Sequence, residues 1–132
     1  MIKRTITYTD YNGVERKEVF YFNISEAELA KMELGTAGGM SAMLTRIIDS
    51  REDTEIANIF EQIVLAAYGE KSPDGKYFRK DPQMSKDFSY TEAYNKLYME
   101  LATDSKAAAE FIRGILPEKY QQANNNQALP AA

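Results

Sequence analysis

At the start of the chain Ile2, Arg4, Ile6 and Tyr8 alternate with Lys3, Thr5, Thr7 and Thr9. A period of two places successive side chains on opposite faces of a strand. Asp10-Tyr11-Asn12-Gly13 follows as a turn, its glycine free to take a positive φ. The return strand, Val14 to Phe22, ends in the aromatic run Phe20-Tyr21-Phe22. The pattern predicts a β-hairpin over residues 2–22. Two strands alone are marginal in water, so the hairpin must pack on helices or on another chain. Its edge, with Phe20 and Phe22, is a candidate self-association surface.

The period then changes. Ser25-Glu26-Ala27-Glu28 has the form of a capping box, opening a short helix that carries Leu29 and Met32 and ends near Gly35. Past Gly38-Gly39, residues Met40, Met43, Leu44, Ile47 and Ile48 recur at i, i+3, i+4, i+7 and i+8, one helical face. Asp53 or Thr54 caps the clearest helix, with Ile56, Ile59, Phe60, Ile63, Val64 and Ala67 on its apolar side. Ser72-Pro73-Asp74-Gly75 is a turn in which proline presets φ and glycine takes the left-handed position. Lys76–Lys80 reads as extended, and Asp81-Pro82 starts a short helix running to Asp87.

Ser89-Tyr90-Thr91-Glu92 reads as a second capping box, with Phe88 as the staple residue before it. The helix it opens carries Tyr90, Tyr94, Leu97, Tyr98 and Leu101 along one stripe. Asp104 caps a last helix bearing Ala108, Phe111, Ile112 and Ile115, closed by Gly114 with Pro117 nearby. The C-terminal QQANNNQALPAA has no charge and almost no bulky apolar residue, so it cannot offset its own ordering entropy and predicts a disordered tail. The expected class is α+β: an N-terminal β-hairpin followed by a mostly α-helical bundle of five to six helices. A single domain over residues 1–118 precedes the tail over 119–132.

Composition narrows the chemistry. Hydrophobic residues make up 44% and charged residues 27%, ordinary for a globular protein. Net charge is −4, so no overall basic field exists to hold nucleic acid. The apolar runs are too short to span a bilayer, and MIKRTITYTD lacks the apolar core of a secretory signal, which makes the cytoplasm the expected location. With neither cysteine nor histidine, disulfides, thiolate zinc sites and Cys–His or Ser–His catalysis drop out, as does the commonest neutral-pH proton shuttle. That points to a protein that is not an enzyme and holds no cofactor.

Three sharper readings fail on spacing. Gly38-Gly39 lacks the lysine and Ser/Thr of a phosphate loop and follows a helix, so it reads as a helix–helix turn. Glu70, Asp74, Asp81 and Asp87 do not have calcium-loop spacing, and turn or cap roles explain Asp74 and Asp81, so no metal is expected. Lys71, Lys76, Arg79, Lys80 and Lys86 alternate with Tyr77 and Phe78 in the manner of a single-strand nucleic-acid platform, but the same four acids dilute the charge. The loop Lys76, Tyr77, Phe78, Arg79 and Lys80 reads instead as a solvated loop or a docking loop for an acidic partner, and with whichever of Tyr90, Tyr94 and Tyr98 are exposed it is the candidate partner-binding surface. Met32, Met40 and Met43 form an adaptable apolar cluster of either core or interface character.

The stretch Ala66–Asp104 also carries a signature. Tyr68-Gly69-Glu70-Lys71-Ser72, Asp74-Gly75 and Phe78 are followed by Phe88-Ser89, Thr91-Glu92-Ala93-Tyr94 and Glu100-Leu101-Ala102-Thr103-Asp104. With these elements the chain, from about Ile2 to Pro117, resembles the small tail assembly chaperones of long-tailed bacteriophages, especially those of Gram-positive hosts. The resemblance implies a non-enzymatic protein that holds the aggregation-prone tape measure protein while tail tube protein polymerises around it. It further implies action in the host cytoplasm, absence from the mature virion and a possible homo-oligomer. In that family a ribosomal frameshift often appends a second domain, and the C-terminal tail would suit either a linker to it or the place where the short form stops. A small structural protein such as a head–tail connector, or a host-interaction protein, is the alternative from a different class.

Overall fold

The computed structural model describes residues 1–35 and 53–117; for residues 32–35 and 53–59 the description is of the backbone alone. The predicted hairpin is present. Strand β1 (Ile2–Thr9) pairs antiparallel with β2 (Glu15–Phe22) in the register Ile2↔Phe22 through Thr9↔Glu15. Its turn is set by Asp10, whose carboxylate accepts from the Asn12 amide at 2.9 Å and the Val14 amide at 3.0 Å, and by Gly13 at φ 81°. A salt bridge from Arg16 Nε to Asp10 Oδ2, 2.6 Å, ties the turn to β2.

The alternation sorts the two faces. Ile2, Ile6, Tyr8, Phe20 and Phe22 face the core, and Phe22 is 0% exposed. Lys3, Thr5, Thr7, Glu15, Lys17 and Val19 stay exposed on the other face. The sequence pattern does not anticipate β3 (Tyr68–Lys71), which adds to β2 through Tyr21↔Gly69 and Phe22↔Tyr68. Within the extended reading of Lys76–Lys80, only β4 (Phe78–Arg79) is a strand; it pairs with β3. The result is a four-stranded sheet in the order β1-β2-β3-β4.

Among the described residues there are five helices: α1 (Glu26–Gly35), α2 (Asp53–Ala67), α3 (Pro82–Ser89), α4 (Glu92–Ala102) and α5 (Ser105–Ile115). The Ser25 box forms reciprocally, Ser25 Oγ accepting from the Glu28 amide at 3.1 Å and Glu28 Oε1 from the Ser25 amide at 2.9 Å. Asp81 caps α3 ahead of Pro82, and Asp104 caps α5 by accepting from the Lys106 and Ala107 amides. The expected helix over Met40–Ile48, the Met32/Met40/Met43 cluster and the expected tail lie outside the described residues or side chains.

Two boundaries differ from the sequence reading. Ser89 is the last residue of α3, its hydroxyl donating to the Lys86 carbonyl, and the cap of α4 is Thr91, whose Oγ1 accepts from the Tyr94 amide at 3.1 Å. Ser-x-x-Glu and Thr-x-x-Tyr overlap here, and continuation of α3 through Ser89 decides between them. Gly114 does not close α5; it lies inside the helix where a Cβ would meet the Ile2 side chain at 2.5 Å. Its value is close approach of helix to strand rather than a left-handed cap.

The core is aromatic where the sheet meets the helices. Tyr68 stacks on Phe88 at 4.1 Å with 8° between planes, and Phe22 meets Phe111 edge-on at 5.3 Å. Ile24, Leu29, Ile63, Val64, Leu97, Leu101, Ile112 and Ile115 fill the remainder. Helices α4 and α5 pack along β1, and α3 against β3.

Candidate functional site

The loop named from the sequence is a pinned structure. Ser72 donates its amide to the Tyr77 carbonyl at 2.8 Å, and its hydroxyl accepts from the Tyr77 amide at 2.9 Å. Asp74 Oδ1 accepts from the Lys76 amide at 3.0 Å and from Ser72 Oγ at 2.7 Å, which holds its carboxyl below the usual carboxylate range. Gly75, at φ 76°, takes the conformation that closes the turn. The consequence is to fix Lys76 and Tyr77 at the tip, with Tyr77 65% exposed.

Arg79 is exposed and pairs with Glu70 at 3.1 Å, while Phe78 turns back, half-buried, over Gly69. Lys80, read as part of the exposed loop, instead points inward. Its ammonium donates to Glu28 Oε2 at 2.7 Å, to the Ala66 carbonyl at 2.7 Å and to the Asn23 carbonyl at 2.5 Å. One cation thereby joins the end of β2, the start of α1 and the end of α2. Dehydration lowers the Lys80 pKa more than its Glu28 partner raises it. At Glu28 burial pushes the pKa upward, but Lys80 and the Ser25 amide together outweigh it and the carboxyl sits below its ordinary value. The two ends differ because the lysine is the more enclosed, at 19% side-chain exposure against 33%.

The remaining candidates do not gather on one surface. Tyr90 is 61% exposed at the α3–α4 junction. Tyr98 is half-buried, 6.3 Å from Phe60, and Tyr94 is 6% exposed. Burial, followed by the Glu61 carboxylate, raises the pKa of the Tyr94 hydroxyl. Phe20 is half-buried against Phe88 at 5.3 Å, and Phe22 is enclosed. The folded chain therefore offers neither Phe22 nor Tyr94 to a partner, because both rings are used up in the core. Of the tyrosine stripe, only Tyr90 and the edge of Tyr98 reach the surface.

One concavity escaped the sequence reading. An open groove of about 540 Å³ runs between the end of the hairpin and α4, lined by Thr7, Tyr8, Thr9, Glu15, Glu92, Asn95, Lys96 and Met99. Tyr11 donates to Glu92 Oε1 at 2.9 Å, and the Lys96 ammonium donates to the Thr7 carbonyl. Met99, exposed beside the buried Leu97 and Leu101, was the available signal: an apolar residue off the core stripe of its helix.

Among the described residues no group of three or more acids is placed to hold a metal ion, and no helix is long and apolar enough to cross a membrane. The exposed apolar side chains include Tyr11, Tyr77, Tyr90 and Met99, types enriched where proteins meet. No curated protein and no solved structure matches the chain. The model of the phage tail assembly chaperone family matches residues 1–132, the whole length. Together with the Tyr68–Asp104 signature, that match places the chain in its family: it belongs to the phage tail assembly chaperones.

Proposed function

We propose that this chain is a non-enzymatic assembly factor that binds the tape measure protein and assists tail tube assembly. The observation that carries the reading is the family match over residues 1–132. Exposed Tyr77, Tyr90 and Met99 add physical support, because aromatic and methionine side chains give contact area that adapts to a repetitive client. Binding of this kind needs no chemistry, only many modest contacts along an elongated partner. Its working location is the host cytoplasm during assembly, and the mature virion does not retain it. Partners are the tape measure protein and, through it, the tail tube protein. Self-association, if it occurs through the hairpin, falls to Phe20 and the strand edge, since Phe22 is enclosed.

Co-expression with the tape measure protein, followed by pull-down and size-exclusion chromatography with light scattering, tests this. Stable co-elution is the expected result. Absence of binding, with the chain recovered instead from purified virions, would overturn it in favour of a connector.

A further inference from the structure

The sheet face turned away from the core has a character of its own. Register places Lys3 beside Tyr21, Thr5 beside Val19 and Thr7 beside Lys17. Tyr21 continues to Gly69, over which the Phe78 ring lies, and the Lys71 ammonium stands 5.7 Å from the Tyr21 ring. The apolar strip Val19–Tyr21–Phe78 is therefore flanked by Lys3, Lys17 and Lys71. Val19 is 45% exposed, and all three lysines are exposed. Among the described strand residues of this face the only acid is Glu15, at the far end beside Thr9. In a chain of net charge −4, that is a segregated basic face.

We infer that this outer face docks an acidic amphipathic helix of a partner protein, its apolar stripe on Val19, Tyr21 and Phe78 and its flanking carboxylates against Lys3, Lys17 and Lys71. A sheet face presents side chains rather than backbone groups, and a helix laid across a sheet is its natural complement. From Tyr21 on β2 across Gly69 to Phe78 on β4 is two strand spacings of about 4.8 Å, roughly 10 Å, which a helix crosses in about seven residues at 1.5 Å each. A second copy of the same face is a poor occupant, since three lysines would meet three lysines. The segment QQANNNQALPAA is equally poor, having no carboxylate side chain to offer. The inference concerns the chemistry of a surface and does not depend on which tail protein is the client.

The test uses the full chain and a fluorescein-labelled synthetic helix of about three turns, with a leucine stripe flanked by glutamates. The same helix with lysines in place of glutamates and a single-stranded oligothymidine serve as comparisons. Fluorescence anisotropy is expected to show saturable binding of the acidic helix alone, weakening as salt is raised. Lys17→Glu with Lys71→Glu should weaken it by roughly tenfold or more. The neutral pair Lys17→Gln with Lys71→Gln should give a smaller loss, and circular dichroism verifies the fold of each. No binding of the acidic helix, equal binding of the lysine helix, indifference to both pairs of substitutions, or tighter binding of the oligothymidine would each overturn the inference.

Discussion

Phe78 lies across Gly69: a Cβ at Gly69 would come within 2.6 Å of the ring and 2.8 Å of the Arg79 carbonyl oxygen. The ring can tilt, but the carbonyl belongs to the strand that pairs with β3. Gly69→Ala is therefore expected to cost about 1–3 kcal/mol, the range for overpacking a well-packed site. Gly114→Ala is the contrast. Its new Cβ would come within 2.5 Å of Ile2 Cδ1 and 2.7 Å of Ile2 Cγ1, so the Ile2 side chain must shift, against a gain of about 1 kcal/mol in helix propensity. Urea midpoints should fall clearly for the first and by less for the second.

Lys80 satisfies three acceptors from three elements, so its loss leaves a carboxylate and two carbonyls without their partner. Lys80→Met should destabilise the chain by about 2 kcal/mol, below the full cost of breaking a deeply buried pair because Glu28 keeps partial access to water. Denaturant unfolding checks this, and an unchanged midpoint would show that the three contacts are dispensable.

The Tyr8 hydroxyl donates to Glu18, and this bond, followed by burial, raises its pKa from 10.0 to about 12. An acid whose pKa rises on folding stabilises the fold while it remains protonated. The contribution is complete below pH 10 and is lost as the pH climbs towards 12. Urea midpoints measured across that window should therefore decline less steeply in Tyr8→Phe than in wild type.

Elements with a strong local signal were readable from the chain. The hairpin followed from the β1 alternation and Gly13, and α1 from a Ser25–Glu28 box that forms both of its bonds. Strand β3 was hidden because Tyr-Gly-Glu-Lys is short and contains glycine, and it exists through pairing with a strand far earlier in the chain, Tyr68 opposite Phe22 becoming visible only in three dimensions. The Ser89 box failed because two overlapping caps were compatible with the sequence and packing of Phe88 extended α3. Surface and core tyrosines could not be separated either: Tyr90, Tyr94 and Tyr98 share a spacing, yet only the fold buries Tyr94 and leaves Tyr90 outside. The inward turn of Lys80 had no sequence signal, since its three acceptors lie on distant segments, two of them backbone carbonyls.

A charge at Phe22 should abolish folding, because a ring at 0% exposure touching Tyr68, Phe88 and Phe111 has no route to water. Phe22→Asp is expected to lose its helical circular dichroism and cooperative unfolding, a penalty above about 4 kcal/mol. Tyr77→Asp should leave both intact. A well-folded Phe22→Asp would contradict the assignment of this residue to the core.

The central claim is that the chain keeps a tail client soluble through its exposed surface and without chemistry. The direct measurement is the soluble fraction of the tape measure protein when co-expressed with the wild-type chain or with the double variant Tyr77→Ala/Tyr90→Ala, whose fold is checked by circular dichroism. The account predicts that the wild type raises that fraction well above the client alone and that the double variant, folded and abundant, raises it less. A client equally insoluble with and without the wild-type chain would contradict the account.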